Sequence, residues 1–291
     1  MYDTILVPTD RSDAATKAVE GGIALAERFD ASLHVISVAE YNSYPIQIQS
    51  ELSSDLGQQA EATLSEVRSQ SAQTGVDLTT QVIESDKSVH EGIIDYSTDH
   101  DVDLIVMGTH GRTGLNRLIL GSTAERTLRA SPIPVLTVHE ETEISPEFES
   151  LLVPTDGSQT ATEAATHAIQ IAAMTEGSLH VIHVIDLIAL SGEYGSGRIL
   201  EQLSEAGQQA IDDVVDRATA ADVQSVEAAV LSGAPSQAIV DYATDCDVDL
   251  IVMGTHGRSG LDRFLIGSVT EKIVRLADVP VLSVSPQNRT S

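Results

Sequence analysis

The feature that most constrains this chain is an internal repeat. "DYSTDHDVDLIVMGTHG", residues 95 to 111, returns as "DYATDCDVDLIVMGTHG", residues 241 to 257, with changes only at Ser97/Ala243 and His100/Cys246. Asp10 and Asp156, Val38 and Val184, Gly108 and Gly254, and Gly121 and Gly267 are all 146 residues apart. Solenoid units repeat every ~20–50 residues, so this period marks a duplicated whole domain. A chain of 291 residues gives each copy enough length for its own core. The expected organisation is one domain over 1–139, a polar, acidic linker over 140–148, a second domain over 149–285 and a short tail over 286–291.

Within each copy, short β-branched runs alternate with segments of helical periodicity. In the first copy the pattern predicts strands near 2–8, 32–38, 77–84, 103–108 and 134–138, and helices near 12–29, 51–74, 88–99 and 121–130. The helix from Ser12 carries Ala15, Ala18, Val19, Gly22, Ala26 and Phe29 as one apolar stripe. "DLIVMG" is apolar on both faces, as a strand buried in a parallel sheet must be. The fold class that follows is α/β: two tandem, doubly wound, Rossmann-like domains, each an open five-stranded parallel sheet flanked by helices. Segments 39–50 and 186–197, rich in Tyr, Ser and Gly, are expected to be loops after the second strands.

Charge excludes several partners. Forty-four Asp and Glu against 16 Lys and Arg leave a formal net charge of -28. Only Lys17, Lys87 and Lys272 are lysines. Such a field repels nucleic-acid phosphate and anionic membrane, so neither is an expected partner. Abundant acid, scarce lysine and 3% aromatics also match the surfaces of proteins from salt-loving microbes. The single cysteine, Cys246, has no cysteine or histidine cluster near it in sequence and is expected to pack as a small side chain. The amino terminus opens on "YDTILVPTD" with neither a basic stretch nor a long apolar run, which leads to the expectation of a cytoplasmic protein.

The repeated loop carries the chemistry. Gly108 and Gly254 close the "DLIVM" strands, and ligands of open parallel sheets bind beyond the carboxyl ends of strands. After two intervening residues come Gly111 and Gly257, and after nine more Gly121-Ser122 and Gly267-Ser268, each opening a helix. A helix start offers N–H groups and a dipole to a phosphate without any lysine. Neither GxxxxGK[ST] nor a GxGxxG after the first strand is present.

With these motifs the chain resembles the universal stress protein family in a tandem form. The resemblance rests on G-x2-G-x9-G-[ST] in both copies, on "ILVPTD" and "LLVPTD" at the domain starts, on "LHVISV" and "LHVIHV", and on "PVLTV" and "PVLSV". It implies an ATP site, or one for ADP or AMP, in each copy. Asp10 and Asp156, with the preceding Pro8, Thr9, Pro154 and Thr155, would lie by the adenosine, and Val38 and Val184, ending the second strands, by the adenine. Met107, Gly108, His110, Gly111 and Arg112, and Met253, Gly254, His256, Gly257 and Arg258, would run past ribose and phosphates. Gly121, Ser122 and Thr123, and Gly267, Ser268 and Val269, would hold the phosphate tail. Any Mg2+ would be carried by the phosphates, without protein ligands. The resemblance also implies an intramolecular pseudo-dimer through the last strands, 134–138 and 280–284, with a further homodimer open.

Individual side chains allow sharper readings and plainer ones. His110 and His256 are expected to order the loop or line the ribose rather than exchange protons. Arg112, Arg117, Arg258 and Arg263 either reach phosphate oxygens or pair with the acidic surface. Asp101, Asp103, Asp247 and Asp249 read as solvated turn residues. The first copy has Asp10-Arg11-Ser12 and "DKSV" where the second has Asp156-Gly157-Ser158 and "SGAP". Arg11 and Lys87 therefore sit at the rim of the first site, and the second site is the expected better binder. Three functions stand open: a nucleotide-dependent sensor or regulator, a slow ATPase or autophosphorylating enzyme using Ser122 or Ser268, and a stress protein whose sites take no nucleotide.

Overall fold

A computed structural model describes residues 1–40, 46–110, 120–186, 197–257 and 266–286, with backbone only for 46–54 and 197. The chain divides into two compact units, Met1–Pro146 and Glu147–Ser291. Among the described residues no helix is long and apolar enough to cross a membrane.

The first unit runs β1 (Thr4–Pro8), α1 (Asp13–Phe29), β2 (Ser32–Glu40), α2 (Ile46–Ser71), β3 (Leu78–Ser85), α3 (Val89–Asp99), β4 (Leu104–Gly108), α4 (Ser122–Ala130) and β5 (Val135–Val138). Its strands lie in the order β3-β2-β1-β4-β5 and are all parallel. The second unit repeats the plan with β6 (Ser150–Pro154), α5 (Gln159–Thr175), β7 (Ser178–Asp186), α6 (Gly197–Ala220), β8 (Val226–Gly233), α7 (Pro235–Asp245), β9 (Leu250–Gly254), α8 (Ser268–Leu276) and β10 (Val281–Val284). Its order is β8-β7-β6-β9-β10, again parallel.

This order has a functional consequence. The chain leaves β1 toward β2 on one side and returns to β4 on the other, so the direction of winding switches between β1 and β4. A crevice opens at the carboxyl ends of strands at such a switch point.

The central strands are the core. Ile5, Leu6, Val7, Ile105 and Val106 have no exposed surface, as the two-sided apolar runs require. Ser12 caps α1, its hydroxyl accepting from the Ala15 N–H at 3.2 Å. The stripe of α1 is buried from Ala15 to Ala26 and widens to include Ala14 and Leu25. Phe29, at its end, is half-buried with its ring edge-on to Tyr2, centroids 5.7 Å apart.

Several expectations are corrected. α2 begins at Ile46, five residues earlier than its pattern indicated, inside the segment read as a loop. β2 continues to Glu40, so Val38 lies inside the strand. Asp103 and Asp249 are not solvated turn residues. Asp103 Oδ2 accepts from the N–H groups of Asp3 (2.8 Å) and Thr4 (3.0 Å), and Asp249 Oδ2 from those of Glu149 (2.9 Å) and Ser150 (3.2 Å). Each carboxylate ties the start of its unit's first strand to the strand before the glycine loop. Burial, countered by these N–H donors, holds the Asp249 carboxyl above the usual range. Cys246 is half-buried at the end of α7. Residues 41–45, 187–196 and the tail from 287 lie outside the described residues.

Candidate functional site

The β1–β4 crevice of the first unit holds a cavity of about 270 Å³. Pro8, Thr9 and Asp10 reach it from the end of β1, Val38 from β2, and Met107, Gly108 and His110 from the end of β4. Gly121, Ser122 and Thr123 close it from the start of α4. The structure therefore brings together ten of the residues singled out from sequence, drawn from four separate stretches of the first unit. Gly111 and Arg112, and likewise Arg117, lie outside the described residues.

Local chemistry explains the shape. Ser12 holds the mouth of α1: its N–H and hydroxyl donate to Asp10 Oδ1 at 3.0 and 2.7 Å, and the same hydroxyl lies 3.3 Å from the His110 carbonyl. Gly108 is needed for packing. A Cβ on it would lie 2.7 Å from the Ala14 carbonyl carbon and 2.8 Å from the Ala14 Cβ, so only glycine lets the first turn of α1 close against the end of β4.

At the other end, Gly121 caps α4 in an extended conformation. Its N–H does not face the cavity as a free donor, contrary to expectation, because it donates to the Thr109 carbonyl at 2.7 Å. The donors at that end are instead the N–H groups of Ser122, Thr123 and Ala124, which have no acceptor inside the helix. The helix dipole adds a partial positive charge there.

Four lining residues escaped the sequence reading: Ala15 and Ala124 from the first turns of α1 and α4, and Val89 and Ile93 from α3. Val89 and Ile93 are four apart on a helix and form part of one wall, a spacing visible in the sequence but indistinguishable there from core.

The two rim cations are engaged elsewhere. Arg11 pairs with Glu66 on α2 at 2.5 Å, and Lys87 with Asp95 on α3 at 2.5 Å. The "DKSV" segment, without glycine or proline, starts α3 by another route: Ser88 and Glu91 form a capping box, where the second unit places Pro235 in the first turn of α7.

In the second unit Pro154 ends β6 and Thr155 and Asp156 follow it, Val184 lies in β7, and Met253 and Gly254 end β9. Asp156 Oδ1 accepts from the Ser158 N–H at 2.9 Å. Its Oδ2 lies 2.6 Å from where a Cβ of Gly257 would be, so a side chain at 257 would displace this carboxylate. Gly267 caps α8, with its N–H again spent on a carbonyl, that of Thr255 at 2.8 Å, and Ser268 and Val269 lead the helix. Two threonines replace alanines of the first unit. Thr160, at the place of Ala14, donates to the His256 carbonyl, and Thr270, at the place of Ala124, donates to the Gly254 carbonyl at 2.8 Å. The His256 carbonyl is thus held by Thr160 where Ser12 approaches the His110 carbonyl in the first unit, and the Gly254 carbonyl gains a hydroxyl donor where the first unit has the methyl of Ala124. Arg258 and Arg263 lie outside the described residues.

Comparison with known proteins agrees with this architecture. The universal stress protein family matches residues 1–139 and again residues 147–285. A universal stress protein of Methanocaldococcus jannaschii is 39% identical over 140 residues, 47% of this chain and 82% of that protein. A putative universal stress protein of Staphylococcus saprophyticus is 36% identical over 143 residues, 47% of this chain and 83% of that one. In fold, the crystal structure of a universal stress protein from Archaeoglobus fulgidus superposes with a TM-score of 0.74 at 24% identity, covering 97% of this chain and 98% of its own. The chain belongs to the universal stress protein family and carries that family's domain twice.

Proposed function

We propose that the chain binds ATP or a related adenine nucleotide, and that occupancy changes what its surface presents to partners, making it a nucleotide-dependent regulator. The observation that supports this reading is the crevice cavity of the first unit, which joins an apolar wall to a helix start at the sheet's switch point. Val38, Val89, Ile93 and Met107 offer the base a dry surface. The Asp10 carboxylate is an acceptor for ribose hydroxyls. Ser122, Thr123 and Ala124 offer N–H donors, two of them with hydroxyls, to phosphate oxygens. Mg2+, where used, would be held by the phosphates. The same roles fall in the second unit to Asp156, Val184, Met253, Ser268 and Val269.

The net charge of -28 opposes a triphosphate, and salt sets how strongly. The screening length falls from about 10 Å at 0.1 M to about 3 Å at 1 M, so binding is expected to be tighter in molar KCl. Calorimetry with ATP, ADP and AMP under those conditions tests the reading. Gly121→Arg and Gly267→Arg, each filling one helix start with a long side chain, are expected to remove one binding event apiece. A wild-type chain that takes up none of the three nucleotides would end it.

A further inference from the structure

Behind the cavity of the first unit stands a buried chain of polar side chains that the site described above leaves unused. Thr109 Oγ1 lies 3.1 Å from His110 Nδ1 and 2.8 Å from His139 Nδ1. On its other edge, His110 Nε2 is 3.8 Å from Glu140 Oε2. Thr109, His110 and His139 are all buried, and His110 lines the cavity.

A hydroxyl has one proton to give. If Thr109 gives it to His110 Nδ1, His139 must bring its own proton on Nδ1. If Thr109 gives it to His139, a neutral His110 must be protonated at Nδ1, and its bare Nε2 then faces a carboxylate oxygen with lone pairs opposed. Glu140 therefore selects the first arrangement, in which a ring N–H faces the carboxylate.

The second unit has the same threonine and histidine without the rest. Thr255 Oγ1 is 2.9 Å from His256 Nδ1, but Ser285 replaces His139, with its hydroxyl 3.4 Å from Thr255, and Pro286 replaces Glu140. A serine hydroxyl donates or accepts equally well, so it imposes no tautomer on His256. His256 Nε2 is buried with no hydrogen-bond partner among the described residues.

We propose that His139 and Glu140 together are positioning residues of the first site: Glu140 sets the proton of His110 on Nε2, and His139, through Thr109, completes the arrangement in which Nδ1 accepts, a fixed tautomer that the second unit, with Ser285 and Pro286, does not impose. A ligand oxygen that reached this N–H would compete with Glu140, and that use rests on the nucleotide reading above. The two halves then differ in the chemistry of the same loop histidine, not only at their rims.

Nitrogen-15 spectra of the intact chain, labelled at histidine and recorded without nucleotide at about pH 8, above the ordinary histidine range near 6.5, show which ring nitrogens are protonated. In the wild type, His139 is expected to be protonated at Nδ1 and His110 at Nε2 alone. His139→Ser installs the residue that the fold already accepts at 285, and Thr109→Val removes the bridging hydroxyl at nearly constant shape. In both, the His110 Nδ1 signal is expected to shift as its hydrogen-bond donor is exchanged or lost, and Glu140→Ala, which removes the group that selects the tautomer, is expected to move the His110 signals toward the averaged values of a freely exchanging ring. A wild-type His139 bare at Nδ1, or His110 signals unchanged in both His139→Ser and Thr109→Val or in Glu140→Ala, would overturn the proposal. Because these spectra need no ligand, a chain that binds no nucleotide would end the functional reading and leave this test standing.

Discussion

Arg11 and Gly157 occupy the same left-handed backbone conformation, at φ 70° and 75°, in the turn between the first strand and first helix of their units. The turn demands glycine geometry in both, and the first unit meets it with a residue that has a Cβ. In return, the Arg11 side chain gains a surface contact with Glu66. Such exposed pairs are worth at most about 1 kcal/mol. Arg11→Gly relieves strain but loses that pair and loosens the unfolded chain, so its stability is expected to stay within about 0.5 kcal/mol of wild type. Gly157→Ala gains no pair, and the strain of a Cβ at this φ outweighs the stiffer unfolded chain, so it is expected to cost about 1 kcal/mol. Denaturant titrations of the two variants compare them directly.

Gly108→Ala forces a methyl into the backbone of α1 at Ala14. Overpacking against a helix backbone costs about 1–3 kcal/mol, and here the displaced turn also carries Ser12, which holds Asp10. The variant is expected to melt earlier and to bind nucleotide at least about tenfold more weakly in the first unit, an energy of about 1.4 kcal/mol. Retention of full affinity would show that the position of α1 does not govern the cavity.

Asp249 links pH to stability with a definite sign. Its folded carboxyl is raised, chiefly by burial, so the folded state favours the protonated form. Its contribution is fully present below the ordinary carboxylate range and is lost as pH rises through the folded value. Asp249→Asn keeps one acceptor for the Glu149 and Ser150 N–H groups and does not titrate. Relative to that variant, wild type is expected to gain stability between pH 7 and about pH 4, the ordinary aspartate value. Asp249→Ala loses both bonds and is expected to cost about 1–2 kcal/mol at pH 7. Melting curves across this range decide the matter, and the opposite slope would show that the N–H donors outweigh burial.

Salt is the remaining lever. With 44 acidic groups against 16 basic ones, self-repulsion works against the folded state wherever it is unscreened. Melting temperature is expected to rise by about 5 °C or more between 0.1 and 2 M KCl, equivalent to roughly 1–2 kcal/mol for domains of this size. A flat profile would remove the salt-adapted reading of the composition.

Sequence pattern served best where one local rule decides the structure. Strand runs such as "LIVMG", the Ser12 cap and the glycine-capped starts of α4 and α8 were all readable because each depends on neighbours a few residues away. The start of α2 was not, since Ser43, Tyr44 and Pro45 just before it and the i, i+2 pair Ile46 and Ile48 imitate a loop or short strand and mask the i, i+4 step from Ile48 to Leu52. The strand-tying role of Asp103 was hidden because its partners lie about a hundred positions away. The glycine spacing pointed to the right place in the fold without revealing what each glycine does there. Gly108 makes room for a helix, and the Gly121 N–H is used up by Thr109. The link between His110 and His139 spans 29 positions, through a threonine that reads as an ordinary strand-end residue.

The bond from Gly121 N–H to the Thr109 carbonyl, repeated from Gly267 to Thr255, fastens the two ends of the glycine loop together at its base. The end of β4 and the start of α4, and likewise those of β9 and α8, are thereby held at a fixed spacing. The loop is in that sense a cassette. A segment of different length or sequence grafted between Thr109 and Gly121 is therefore expected to leave β4 and α4 in place, which the melting curve of such a graft checks.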